Sequence, residues 1–272
     1  MNPVLRWFKA RKHSRRESKQ RAVADVVIVS FPKSGRTWLR MMLGSALCKR
    51  YGLPEERMVD TPWLTTSAGL PMTVLCHDGG SNVEARHEQR LVRDKSEYRD
   101  KKVVLLVRDP RDVVTSCYFQ ASRRRNLFRG SIAEFVRDPH YGVGKIVTYL
   151  NIWHDNREVP KGFLVISYEE LKTQPEKALR RCLEFMGVEE LDESVVEHAI
   201  EYCRFENMKR MEQGKKFRDG RMRPKEEKDP EASKVRKGKV GGYVDYLSPD
   251  DIAYCEQVIA ERGCPLLSSP AG

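Results

Sequence analysis

The side chains best suited to anion chemistry follow a short apolar run. Val26-Val27-Ile28-Val29-Ser30 leads into Phe31-Pro32-Lys33-Ser34-Gly35-Arg36-Thr37-Trp38. A turn that opens a helix presents backbone N–H groups to a ligand. Here the Lys33 ammonium, the Ser34 and Thr37 hydroxyls and the free backbone at Gly35 join them, so the segment predicts an anion site. The spacing differs from the nucleoside-triphosphate loop, which ends in Gly-Lys-Ser/Thr and uses that hydroxyl to hold Mg²⁺. In this chain the lysine precedes the glycine. Three further apolar runs end in reactive types: Met72–Cys76 before His77, Val103–Val107 before Arg108, and Phe163–Ile166 before Tyr168 and Glu169.

These runs are too short for helices, and all but the second are rich in β-branched or aromatic residues, so they predict strands. Helical patterns follow or separate them at Thr37–Arg50, Pro110–Ser122, Ile132–Arg137, Val143–Arg157 and Pro175–Met186. Further helices are expected at Ser194–Cys203 and at Pro249–Ala260, the latter with Ser248 as N-cap. Strands alternating with helices predict a three-layer α/β/α fold with a central parallel sheet, P-loop NTPase-like in architecture. In such a sheet the residues past the carboxyl ends gather on one edge, where ligands bind. Lys33, His77, Arg108 and Tyr168 with Glu169 are therefore expected in one crevice.

The Lys33 loop resembles the 5′-phosphosulfate loop of sulfotransferases that use 3′-phosphoadenosine 5′-phosphosulfate (PAPS), whose pattern is Pro-Lys-Ser/Thr-Gly-Thr/Asn-Thr-Trp. The resemblance implies cofactor contacts from Lys33, Ser34, Gly35, Arg36 and Thr37, although Arg36 departs from the pattern at a position that is usually small and polar. Arg108 and, eight residues later, Ser116 match the pair that holds the cofactor's 3′-phosphate in that family. A guanidinium grips phosphate bidentately while a hydroxyl completes the set. Lys234-Val235-Arg236-Lys237-Gly238-Lys239-Val240-Gly241-Gly242-Tyr243 resembles the family's Arg-Lys-Gly-x-x-Gly-Asp-Trp segment, with Gly242 and Tyr243 in place of Asp-Trp. The resemblance implies 3′-phosphate contacts from Arg236, Lys237 and Gly238. Tyr168-Glu169-Glu170-Leu171 matches Tyr-Glu-Asp/Glu-Leu, whose tyrosine lies near adenine, and Phe205 and Trp38 are the other candidates beside the purine, Trp38 ranked first. Leu75-Cys76-His77-Asp78 is similar to Lys-Thr-His-Asp, with Leu75 replacing the lysine. The resemblance implies His77 as the base toward the acceptor hydroxyl and Lys33 as the cation on the leaving phosphate, with no metal.

The similarity runs from about Ala24 to Ala260, and one domain over 24–272 is expected, following a basic segment 1–23. That segment reads as a solvated tail or as an amphipathic helix making weak membrane-surface contact. The stretch 204–239 is poor in large apolar residues and predicts a mobile, lid-like segment. The formal charge of +11 points to an anionic partner: nucleic acid, membrane surface or small polyanion. No signature of a common nucleic-acid module accompanies it. Seven scattered cysteines without metal spacing predict free thiols in a reducing, cytoplasmic compartment.

The function expected is sulfuryl transfer from PAPS to a hydroxyl on a small molecule, lipid or glycan. The alternatives are a kinase-like phosphotransferase and a non-catalytic nucleotide-binding protein. Polar loops at 60–71, 126–144 and 204–234 favour an alcohol acceptor over a flat phenol.

Overall fold

The computed structural model describes residue 15 and residues 17–82, 85–213 and 238–268. Four parallel strands form its centre: β1 Val26–Ser30, β2 Thr73–Cys76, β3 Lys102–Val107 and β4 Gly162–Ser167. Their order across the sheet is β2-β1-β3-β4. Val26 pairs with Thr73 on one side and Lys102 on the other, and Lys102 pairs with Gly162. After β2 the chain crosses to the far side of β1. The ends of β1 and β3 therefore flank the switch point where open α/β sheets bind ligands.

Every residue of β1 is buried, because both faces of the sheet are covered. Val26 and Ile28 belong to one core with Val104, Leu106 and Ile166. That core is closed by α2 Arg36–Tyr51, α3 Thr61–Ser67, α8 Pro175–Phe185 and α9 Glu193–Tyr202. Val27 and Val29 face the other core with Val103, Leu105 and Val107. There α4 Pro110–Phe119, α5 Ile132–Arg137, α6 Val143–Asp155 and α11 Pro249–Arg262 make the cover. Alternate side chains of one strand thus anchor two helical layers, as the period of two requires. The three-layer parallel fold read from the sequence is the fold observed.

Boundaries fall within a few residues of expectation, and Ser248 caps α11 by accepting the Asp251 N–H at 3.2 Å. Two polar segments taken as loops contain helices. The stretch 60–71 holds α3, and the first nine residues after Arg204 form α10, Phe205–Gln213, which buries Met208 and Glu212. Tertiary partners stabilise α10 despite its charged composition, since Glu212 pairs with Arg124 at 3.3 Å. A short α7, Tyr168–Thr173, connects β4 to α8. The described part of the basic N-terminal segment is also helical, α1 over residues 17–22. It is docked rather than solvated: Glu17 is buried, and Arg21 pairs with Glu97 at 3.3 Å. The apolar cluster on which membrane contact was expected, along with Arg236 and Lys237, lies outside the described residues. No described helix is long and apolar enough to cross a membrane.

Candidate active site

Lys33 and Gly35 turn the chain from β1 into α2, both with positive φ, +73° and +96°. At Gly35 this conformation combines with close approach. A Cβ there would lie 2.6 Å from the Tyr168 ring, so only glycine lets the loop lie on that aromatic. Lys33 holds the same backbone region with a side chain, a costly conformation, and Arg108 Nη1 donates to its carbonyl at 3.2 Å. The N-terminus of α2 has no side-chain cap and no acidic residue in its first turn. Its backbone donors and positive dipole end therefore face the loop without a carboxylate of the first turn to complement them.

Arg108 sits where β3 opens into α4. Its guanidinium lies 4.0 Å from the centre of the Tyr168 ring, pairs with Asp112 at 3.3 Å, and donates to the Lys239 carbonyl at 3.0 Å. Arg108 Nε is buried without a hydrogen-bond partner. Such an orphan donor beside the positive end of α2 suits an anionic ligand. Asp112 also accepts the N–H groups of Gly241 and Tyr243 at 2.9 and 3.0 Å. This clasp ties the strap after Gly238 to the first turn of α4. Ser116, one helical turn further on, is buried.

The aromatic candidates converge. Trp38 meets Tyr168 edge-on at 6.0 Å, and its indole N–H donates to the Cys203 carbonyl at 3.0 Å. That bond brings the start of α10 to the loop. Phe205 packs so closely on Gly238 that a Cβ there would lie 2.8 Å from its ring. Burial pushes the Tyr168 hydroxyl up, and Arg108 pulls it back. Behind the loop, burial pushes the Cys117 thiol up to about 11, while Lys33, Lys145 and Arg108 each pull it down.

His77 ends β2. Its ring Nδ1 lies 2.9 Å from the Ser30 carbonyl, which fixes Nδ1 as the donor, and Arg36 Nη2 lies 2.5 Å from Nε2. A carbonyl can only accept and a guanidinium can only donate, so with Nδ1 carrying the proton Nε2 carries the lone pair that faces Arg36. Glu17 Oε1 accepts the backbone N–H of His77 at 3.0 Å. Neither Glu17 nor the Arg36 contact was foreseen from the sequence, and no motif signals a carboxylate that arrives from 60 positions away. Asp112 was legible in principle, being one turn after Arg108. Glu17→Ala is expected to leave the His77 N–H without its carboxylate and to lower stability by about 1–3 kcal/mol. Denaturant unfolding measures it, and an unchanged midpoint would make the contact incidental.

A sequence profile of the family described as "Sulfotransferase domain" matches residues 24–263. Cytosolic sulfotransferase 17 of Arabidopsis thaliana is 28% identical over 275 residues, covering 90% of this chain and 76% of its own. Flavonol 3-sulfotransferase of Flaveria bidentis is 26% identical, covering 88% of this chain and 81% of its own. Among solved structures, mouse sulfotransferase SULT7A1 complexed with PAP matches with a TM-score of 0.57 at 18% identity, over 88% of this chain and 83% of that one. Retinol dehydratase in a complex with retinol and PAP matches with a TM-score of 0.61 at 19% identity, over 88% and 80%. At such identities the structural likeness concerns the fold, but the profile spans nearly the whole described chain. With its anion loop, strand-end arginine and strand-end histidine on one sheet edge, the chain belongs to the sulfotransferase domain family and is a sulfotransferase.

Proposed function

We propose that this sulfotransferase moves a sulfuryl group from PAPS to the hydroxyl of a small acceptor, with His77 as the base. The observation that carries the reading is the His77 tautomer: Nδ1–H is spent on the Ser30 carbonyl, leaving Nε2 as the proton acceptor. Lys33, Ser34, Gly35 and Thr37 at the α2 N-terminus would hold the 5′-phosphosulfate. Arg108, Ser116 and the Gly238 strap would hold the 3′-phosphate, assisted by Arg236 and Lys237. The orphan Nε of Arg108 fits such a phosphate. Trp38, Tyr168 and Phe205 would wall the purine. PAPS supplies an activated sulfuryl group. His77 Nε2 takes the acceptor proton, and Lys33 neutralises charge on the 5′-phosphate as it departs.

The polar composition of 60–71, 126–144 and 204–234 favours an alcohol on a natural product, lipid or glycan over a flat phenol, although a named relative acts on a flavonol. Cytoplasmic residence agrees with the cytosolic names of relatives and with seven free, buried cysteines.

Two phosphate subsites make a direct prediction. Adenosine 3′,5′-bisphosphate (PAP) should bind about 10–100-fold more tightly than AMP, the worth of one charge-assisted bond. Arg108→Ala should erase most of that difference. Titration calorimetry without magnesium measures both, and equal affinities for the two nucleotides would remove the 3′-subsite.

A further inference from the structure

Arg36 is the first residue of α2, directly after the left-handed Gly35, so its side chain leaves the backbone at the anion-facing end of the helix. From there the guanidinium reaches across to β2, the neighbour of β1 in the sheet, and meets His77 Nε2 at 2.5 Å. This is the nitrogen assigned to the acceptor proton. The position that precedes the strand end by one residue, where a lysine stands in Lys-Thr-His-Asp, holds Leu75. Its side chain packs against the apolar core beneath α2. The charge missing from residue 75 is thus present beside the same histidine, delivered from residue 36.

We infer that Arg36 is a catalytic residue with two positions: before the donor binds it covers the His77 lone pair, and with the donor bound it moves onto the sulfuryl oxygens. The inference rests on the sulfuryl-transfer reading above. A guanidinium bonds more strongly to an anionic oxygen than to a neutral imidazole nitrogen. The phosphosulfate therefore draws Arg36 off Nε2, and the base becomes available to the acceptor hydroxyl only then. In the transfer itself the acceptor oxygen forms its bond to sulfur as the bond from sulfur to the 5′-phosphate oxygen breaks. The electron pair of the broken bond stays on the phosphate, and the hydroxyl proton passes to Nε2. Arg36 and Lys33 hold the two anionic ends of that exchange, and donor binding precedes productive acceptor binding.

The test combines imidazole ¹⁵N NMR with steady-state kinetics on wild type, Arg36→Ala and Arg36→Lys. In the ligand-free wild type the His77 Nε2 resonance should show a hydrogen-bonded lone pair. The signature should vanish in Arg36→Ala, and also in the wild type saturated with PAPS without acceptor. In turnover, Arg36→Ala should lose about 100-fold in kcat, the usual cost of one preorganised donor, with PAP affinity held within about threefold. Arg36→Lys keeps the charge and should recover part of the loss. An unchanged Nε2 resonance in Arg36→Ala, or wild-type kcat in that variant, overturns the inference. If His77→Ala is active while Arg36→Ala is slow, the base assignment falls and the Arg36 cation stands, so the two failures are separable. Nucleotide affinity reports folding in each variant, and Arg36→Thr provides a second small substitution with the same expected outcome.

Discussion

His77→Ala should cut sulfuryl transfer by about 10²–10⁴-fold, the range that a positioned general base contributes, while PAP affinity stays near wild type. The imidazole is placed for this by contacts on three elements. Ser30 at the end of β1 fixes the tautomer, Glu17 on α1 holds the backbone N–H, and Arg36 on α2 faces the basic nitrogen. None of these contacts belongs to the Arg108 side of the crevice, so nucleotide binding should be spared. Single-turnover assays with PAPS labelled in sulfur, alongside calorimetry with PAP, separate the two effects. Loss of PAP affinity with little change in the chemical step would make His77 a binding residue. Undiminished turnover at saturating substrates would remove it from the mechanism.

A comparable loss, in stability, is expected from Lys95→Met. Lys95 and Asp78 form an ion pair at 2.7 Å with side chains only 3% and 6% exposed, and Lys95 also donates to the Val92 carbonyl at 2.7 Å. Asp78 directly follows His77 and has a positive φ of +45°, so the pair braces the turn that presents the base. Burial pushes the Asp78 carboxyl up, with Lys95 the largest opposing pull and Arg21 assisting. Removing the ammonium leaves a buried carboxylate uncompensated, at a cost of about 3–5 kcal/mol. That is a large share of the roughly 5–15 kcal/mol holding a typical domain folded. The sign of the pH dependence follows from the raised carboxyl. Below its unfolded value Asp78 is neutral in both states and the variant's deficit is small. The deficit grows once pH passes the wild type's raised folded value, where the carboxyl paired with Lys95 ionises while the unpaired one in the variant resists ionisation. Denaturant melts at mildly acidic and neutral pH measure both terms, with Asp78→Asn in the Lys95→Met background expected to restore part of the loss. A deficit largest in acid, or an unchanged midpoint at neutral pH, would contradict this account.

The ends of the strands were legible because the information there is local. A β-branched run such as Val26–Val29, buried on both faces, must be a central strand, and the Lys33-Ser34-Gly35 turn after it carries its own anion chemistry. The same holds for Arg108, whose run, turn and helix are contiguous in the chain. Parallel pairing then sends His77, Arg108 and Tyr168 to the edge that Lys33 occupies, since every carboxyl end lies on one side. Composition misjudged α10, because its helix rests on partners far away in sequence: Arg124 for Glu212, and the core beneath α2 for Met208. Nor did any pattern announce that α1 places Glu17 under His77, or that Arg36 reaches the same ring from 41 residues away. Such contacts depend on which strands are neighbours and on where helices cross them. The order β2-β1-β3-β4 makes that choice, and hydrophobic periodicity fixes which face of a strand is buried without saying which strand lies beside it.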